Sequence, residues 1–182
     1  MIEIIPNWHP VLVHFTVGLL FTAVVFYFAY SFLPERFSWR QQWLHMANWS
    51  LWTGSVLTLV TVIAGILAFN TVAHDTASHL AMSVHRNWAL PTAVVFITLA
   101  IVAVRLARKQ QNPGWIFLSA SGIAGLMLIT TAYLGGEVVY RHGIGVLSLP
   151  DIEADAGHHQ HDHVQHDDEH RGTKSDGHDH QH

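Results

Sequence analysis

Histidine is the residue of this chain whose number and placement could support chemistry. The 182-residue sequence contains 16 histidines and no cysteine. Neutral imidazole is a common ligand of transition metals and of haem iron. The lack of cysteine excludes disulfides, cysteine-held zinc, iron–sulfur clusters and covalently attached c-type haem. Any metal or cofactor is therefore expected on histidine, carboxylate, methionine or backbone ligands.

The elements that position these histidines are predicted to be membrane-spanning helices. The chain is 50% hydrophobic and 12% charged. Four mostly apolar stretches, about 11–33, 44–69, 85–107 and 115–140, are long enough to cross ~30 Å of hydrocarbon as helices. No basic segment precedes the first stretch, so we expect a transmembrane helix and not a cleaved signal peptide. The pattern predicts an all-α, four-helix membrane domain over residues 1–148.

The basic residues predict how this domain is oriented. One side of the predicted bundle carries Arg36, Arg40, Arg105, Arg108 and Lys109. The other side has two basic residues close to the membrane, Arg86 and Arg141. By the positive-inside rule, the first side is cytoplasmic. We therefore expect a multi-pass protein of the bacterial inner membrane, with both termini in the periplasm.

Seven histidines lie in the helical domain, and six of them map to its periplasmic end. His45 is the exception, at the cytoplasmic end of the second helix, where we expect it at headgroup level. The six are His9, His14, His74, His79, His85 and His142. An ionisable side chain inside a membrane span normally faces the bundle interior and has a partner, so this layer is a candidate functional site.

Within the layer, His14 and His85 are predicted to be the axial ligands of a b-type haem. His14 lies one turn inside the first helix, and Gly18 shares its helical face, which would leave room for a flat group. His85 opens the third helix at a similar predicted depth. Hydrogen bonding to a neighbouring helix and a position at the lipid interface are the alternatives for both histidines. His9, next to Pro10, is expected at the interface.

Four further residues complete the predicted cofactor site. His79 and His142 are reserve ligands or a second pair; six residues separate His79 from His85, about 120° around a helix, so both cannot face one site without a bend. Arg86 and Arg141 could bind haem propionates or anionic lipid headgroups.

Residues 149–182 are predicted to be a separate, disordered tail. The segment has almost no apolar residues, so it cannot form a core. It should bind divalent zinc, nickel or copper weakly, without a defined geometry. An engineered tag is the alternative, but the interleaved Asp, Glu, Gln and Gly favour a native segment. The nine candidate ligands are His158, His159, His161, His163, His166, His170, His178, His180 and His182.

Two pairs of similar strings raise the question of an internal repeat. NWHPVLVHF resembles NWALPTAVVF, and IAGIL resembles IAGLM. The two pairs imply repeat lengths that differ by twenty residues. These strings therefore do not establish a repeat.

Three strings together resemble the predicted membrane proteins of the domain of unknown function 2231. They are HPVLVHFTVGLL, HRNWAL and LGGEVVYRHGIGV, and the resemblance covers about residues 8–147. The matching positions are His9, Pro10, His14, Phe15, Gly18, His85, Gly135, Gly136, Glu137, Tyr140, His142 and Gly143. The resemblance implies an electron-transfer setting, because some relatives are joined to Rieske-type or cytochrome domains. This chain instead carries a histidine-rich tail.

The leading functional hypothesis is an inner-membrane, b-type haem protein that passes electrons from a quinol or membrane dehydrogenase to a periplasmic acceptor. The first alternative is a membrane protein that handles copper, nickel or zinc with its tail. The second is a structural subunit of a membrane complex. We expect no catalysis in its own right and no nucleic-acid binding, since the net charge is −4. A homo-oligomer is compatible with all three hypotheses.

Overall fold

The computed structural model describes residues 8–72 and 76–144. Within these ranges the chain forms four helices, α1 (His9–Phe32), α2 (Arg40–Thr71), α3 (Thr76–Arg108) and α4 (Trp115–His142), and no strand. The four predicted helices are confirmed. Helix α3 begins at Thr76 and not near residue 85, because the helix continues through a segment of mixed polar and apolar residues before its continuous apolar part.

The helices expose apolar side chains in the way a lipid environment requires. In the most apolar window of each helix, 22–33% of the residues are buried inside the bundle. Outward-facing residues include Phe21, Val56 and Ile123, which are 45%, 62% and 60% exposed. A helix satisfies its backbone polar groups internally and can therefore present such a surface to hydrocarbon. The protein is membrane-embedded.

The order of packing determines which helices meet across the centre. Helix α1 packs against α2 and α4, and α3 also packs against α2 and α4. Helices α1 and α3 therefore lie diagonally opposite each other. The central core contains the nearly fully buried side chains of Leu20, Tyr27, Leu51 and Phe96.

Small residues bring the helices close together. A Cβ built on Gly54 of α2 would lie 2.7 Å from Cδ2 of Leu20 on α1. A Cβ on Gly125 of α4 would lie 3.2 Å from Cγ1 of Val24, also on α1. Close backbone approach of this kind is a main source of helix association in membranes.

The bundle has two chemically different ends. We call one the basic end, where α1 and α3 finish near Arg36, Arg40, Arg105, Arg108 and Lys109. The opposite one, where α1 and α3 begin and α2 and α4 finish, we call the histidine end. There α4 is closed by Gly143, whose φ of 62° is a left-handed conformation that glycine adopts without strain.

Candidate functional site

His9 is held between α1 and α2. Pro10 occupies the first turn of α1, where a missing N–H costs no hydrogen bond, and His9 precedes it as the first helical residue. The half-buried imidazole lies against Gly65 of α2, where a Cβ would come within 2.9 Å of Cε1 of the ring. Its Nδ1 is 3.1 Å from the carbonyl oxygen of Thr61, one turn before Gly65. The glycine therefore gives the ring access to the backbone of α2.

His85 is held in the same way between α3 and α4. Its Nδ1 is 3.2 Å from the carbonyl oxygen of Thr131. A Cβ on Gly135, one turn further along α4, would lie 3.1 Å from Cε1 of the ring. A carbonyl only accepts hydrogen bonds, so Nδ1 donates and the lone pair of the neutral ring is on Nε2. The same reasoning applies to His9. This is the tautomer of an imidazole that binds a metal through Nε2.

The two imidazoles meet across the diagonal of the bundle. The ring centroids of His9 and His85 are 6.5 Å apart, and the ring planes are inclined by 74°. Two imidazoles that bind one metal ion from opposite sides, with metal–nitrogen bonds of about 2.0–2.1 Å, have centroids roughly 6–6.5 Å apart. The centroid separation of His9 and His85 is close to this value.

Hydrogen-bonded threonines lie one to two turns deeper, on the same helices. The hydroxyl oxygens of Thr16 and Thr61 are 2.8 Å apart, and both residues are buried. Thr61 donates its one hydroxyl proton to the carbonyl of Leu57, so Thr16 donates to Thr61. On the other side, the hydroxyl oxygens of Thr92 and Thr131 are 3.0 Å apart. Each threonine pair joins a helix that carries a histidine to the helix whose backbone carbonyl accepts the hydrogen bond from that histidine.

The predicted inward orientation of His14 is wrong. His14 is exposed, and its Nδ1 bonds to the carbonyl of Pro10 on its own helix. A Cβ built on Gly18 would have no atom within 4 Å, so Gly18 faces outward and not into a cofactor gap. The physical reason is helical phase. His14 is two residues from the buried Thr16, about 200° around the helix, whereas His9 is seven residues away, close to two full turns.

The remaining predicted cofactor residues lie around the same end but not in the pair. His79 is exposed, and its ring packs against Phe69 of α2 at a centroid distance of 5.3 Å. The guanidinium of Arg86 lies over the same phenyl ring, 4.7 Å from its centroid. Arg141 forms a 3.2 Å ion pair with Glu137 one turn earlier on α4. His142 is the half-buried last residue of α4.

All nine predicted metal ligands of the tail lie outside the described residues. So do His74 of the predicted histidine layer and the predicted domain boundary at residues 148–149. Among residues 8–72 and 76–144, no group of three or more histidine, aspartate or glutamate side chains is placed to bind one metal ion. His45, expected at headgroup level, is exposed on α2 towards the basic end.

The residues that the sequence reasoning missed are His9, Thr61, Gly65 and Thr131. One signal could have identified His9. The residues Thr16, Leu20, Ala23 and Tyr27 follow it at helical spacing and are all buried. The partners on α2 and α4 could not have been found this way, because which carbonyl a histidine reaches depends on how the helices pack.

Fold and site together define a four-helix membrane protein with a pair of facing histidines at one end of the bundle. Residues 6–148 match the family model described as "Predicted membrane protein (DUF2231)". The match covers most of the chain, so the protein belongs to this family, as the resemblance indicates. No curated protein and no solved structure matches the chain.

Proposed function

We propose that this protein is an electron-transfer protein of the bacterial inner membrane that binds b-type haem between His9 and His85. The observation that carries the proposal is the pair of imidazoles facing each other at 6.5 Å from diagonally opposite helices. The haem hypothesis from the sequence is kept, but the first ligand changes from His14 to His9.

The donor set suits haem. A b-type haem needs protein side chains as further iron ligands, and the imidazoles of His9 and His85 would supply them. Each imidazole donates Nδ1–H to a backbone carbonyl, of Thr61 for His9 and of Thr131 for His85. Such bonds orient a ligating ring and raise its basicity. When bound, the haem would supply one-electron chemistry, and the hydrogen bonds to the two carbonyls would hold the rings in place.

Charged residues at the histidine end extend the proposal. Arg86 and Arg141 stay our candidates for binding the haem propionates, since guanidinium groups pair well with carboxylates. Arg86 is exposed and follows His85 directly in the sequence. His79 and His142, the reserve ligands, would bind a second haem if the protein holds one.

The proposed orientation determines which side of the membrane the proposed haem site would face. The five basic residues of the basic end favour a cytoplasmic location for that end, which puts the histidine end at the periplasmic face. A quinol or a membrane dehydrogenase would then donate electrons, and a periplasmic protein would accept them. We propose no catalytic reaction for the chain itself.

The test is an absorption spectrum of protein purified from haem-replete cells, oxidised and dithionite-reduced. We expect a Soret band and a sharp reduced α band from six-coordinate haem. His9→Ala and His85→Ala should each lose the six-coordinate spectrum, whereas His14→Ala, the matched control on the exposed face of α1, should keep it. A wild-type protein without a Soret band would refute the proposal.

The histidine-rich tail favours a second candidate function, periplasmic handling of copper, nickel or zinc. Nine of the 16 histidines lie between His158 and His182. Deleting residues 151–182 separates the two functions. Metal binding by the protein and metal tolerance of the cells should fall if the tail handles metal, while the haem content should not change.

A further inference from the structure

The residues around His9 recur around His85 with the same spacing. Each histidine is followed seven residues later by a threonine, and each partner helix has a threonine followed four residues later by a glycine. The first set is His9, Thr16, Thr61 and Gly65; the second is His85, Thr92, Thr131 and Gly135. In both sets the histidine bonds to the carbonyl of the second threonine and packs against the glycine, and the two threonines bond to each other.

Burial along α2 and α4 follows the same correspondence. Thr131 lies 70 residues after Thr61. For every buried residue of α4, the residue 70 positions earlier, on α2, is also buried. Those α4 residues are Phe117, Ser121, Ala124, Gly125 and Leu128.

Burial along α1 and α3 corresponds with a shift of 76 residues, the distance from Thr16 to Thr92. For five of the six buried residues of α1, the residue 76 positions later, on α3, is also buried. The five buried residues on α3 are Thr92, Phe96, Leu99, Ala100 and Ala103. The two shifts differ because the path from α3 to α4 is shorter than that from α1 to α2. The similar strings in the sequence imply shifts of about 80 and 60 residues, which match neither of these shifts, so the strings do not mark this repeat.

We propose that the chain consists of two copies of one helical hairpin, α1–α2 and α3–α4, and that each copy contributes half of a single two-fold ligand site. The site is incomplete in either copy, because each hairpin holds one histidine and the two meet only across the diagonal. The inference assigns six positioning residues to this site. They are Thr16, Thr61, Gly65, Thr92, Thr131 and Gly135.

In each hairpin, the glycine (Gly65 or Gly135) allows the histidine to reach the threonine carbonyl. In an α-helix, the carbonyl of one residue points towards the residue four positions later, whose side chain normally flanks it. Gly65 and Gly135 have no such side chain, so an imidazole can lie on the helix and reach the carbonyl behind it. The threonine pair then joins the two helices of the hairpin one to two turns deeper, which fixes the height at which the histidine meets that carbonyl.

This inference rests on the proposed function for the identity of the ligand, but the arrangement of the histidines can be tested without haem. The first measurement is nitrogen NMR of ¹⁵N-histidine-labelled, haem-free protein, with His9 and His85 assigned by substitution. We expect both rings to carry the proton on Nδ1. We expect Gly65→Ala to move the His9 signals most and Gly135→Ala to move the His85 signals most. Gly18→Ala, a helix glycine with open space around it, should move neither.

The second measurement is haem affinity of the same variants. Loss of an outer-shell partner of a ligating histidine costs about 10–100-fold in affinity. We expect a loss of this size for Gly65→Ala and for Gly135→Ala, and no change for Gly18→Ala. Protons on Nε2 in the haem-free protein, or a loss confined to one of the two glycines, would overturn the two-fold unit. A wild-type protein that binds no haem but shows both Nδ1 protons would overturn the proposed function and leave the unit intact.

Discussion

The imidazole of His9 lies against that of His85 across the bundle, with 6.5 Å between ring centroids, although the two residues are 76 positions apart in the chain. The two histidines stand on helices that pack against the same two neighbours and lie diagonally opposite each other. Each is turned inward by a bond to the backbone of the adjacent helix. The site is thus assembled from all four helices.

Engineered cysteines should report this proximity directly, since the chain contains no native cysteine. In a His9→Cys/His85→Cys variant, a short bifunctional thiol reagent should link α1 to α3. A direct disulfide is not expected, because the side chains that meet are long and cysteine is short. Proteolysis in the connection between α2 and α3, followed by gel electrophoresis, detects the link. Equal cross-linking of a His14→Cys/His85→Cys control would contradict the arrangement.

Gly54 should be among the glycines least tolerant of a methyl group. Alanine there would place Cβ 2.7 Å from Cδ2 of Leu20, which is almost fully buried. Overpacking of this kind costs about 1–3 kcal/mol. We expect Gly54→Ala to lower the free energy of unfolding in detergent by that amount, measured by circular dichroism. Gly18→Ala serves as the control and should be neutral or slightly stabilising, because its position is open.

The hydrogen bond from Tyr27 to Asn48 should contribute measurably to stability. The Tyr27 hydroxyl donates to Oδ1 of Asn48 at 2.6 Å, inside the α1–α2 hairpin. Interhelical hydrogen bonds in membrane proteins contribute about 0.6 kcal/mol on average and up to about 1.7. Tyr27→Phe should lose a free energy in this range in unfolding by denaturing detergent. The exposed Tyr133 provides the comparison, and a Tyr133→Phe change as large as that of Tyr27→Phe would argue against this role.

The orientation of the bundle can be tested with single cysteines at its two ends. Asn70 is exposed at the histidine end, and Gln111 is exposed in the connection between α3 and α4 at the basic end. If the basic end is cytoplasmic, a membrane-impermeant maleimide should label Asn70→Cys in intact cells that have a permeable outer membrane. Gln111→Cys should react only after the inner membrane is broken. The reverse pattern would place the histidine end in the cytoplasm.

The fold was largely predictable because membrane helices are encoded by local composition. Four long apolar stretches predict four helices, and this prediction is confirmed. The start of α3 was placed too late, because helix formation does not stop where hydrophobicity does. The histidine end was also predicted as a layer, since topology alone brings the starts of α1 and α3 to one side.

The ligand pair could not be predicted in the same way. His14 and His9 are both near the start of α1, and depth favoured His14. The rotation of α1 about its own axis turns His9 and not His14 inward, because the inward face of α1 is defined by Thr16, Leu20 and Tyr27 and includes His9. Depth is a property of position along the chain, whereas phase depends on which neighbours a helix meets.

By itself, the sequence determined the class of protein, the number of helices, the location of the histidines at one end and the family. Those properties depend on residue type and spacing within single segments. Only the tertiary structure decided that His9 and not His14 faces His85, and that both rest on glycines beside a threonine carbonyl. It also showed that two hairpins repeat one arrangement. These relationships join residues on different helices, and their geometry is decided by packing between helices and not by any one helix.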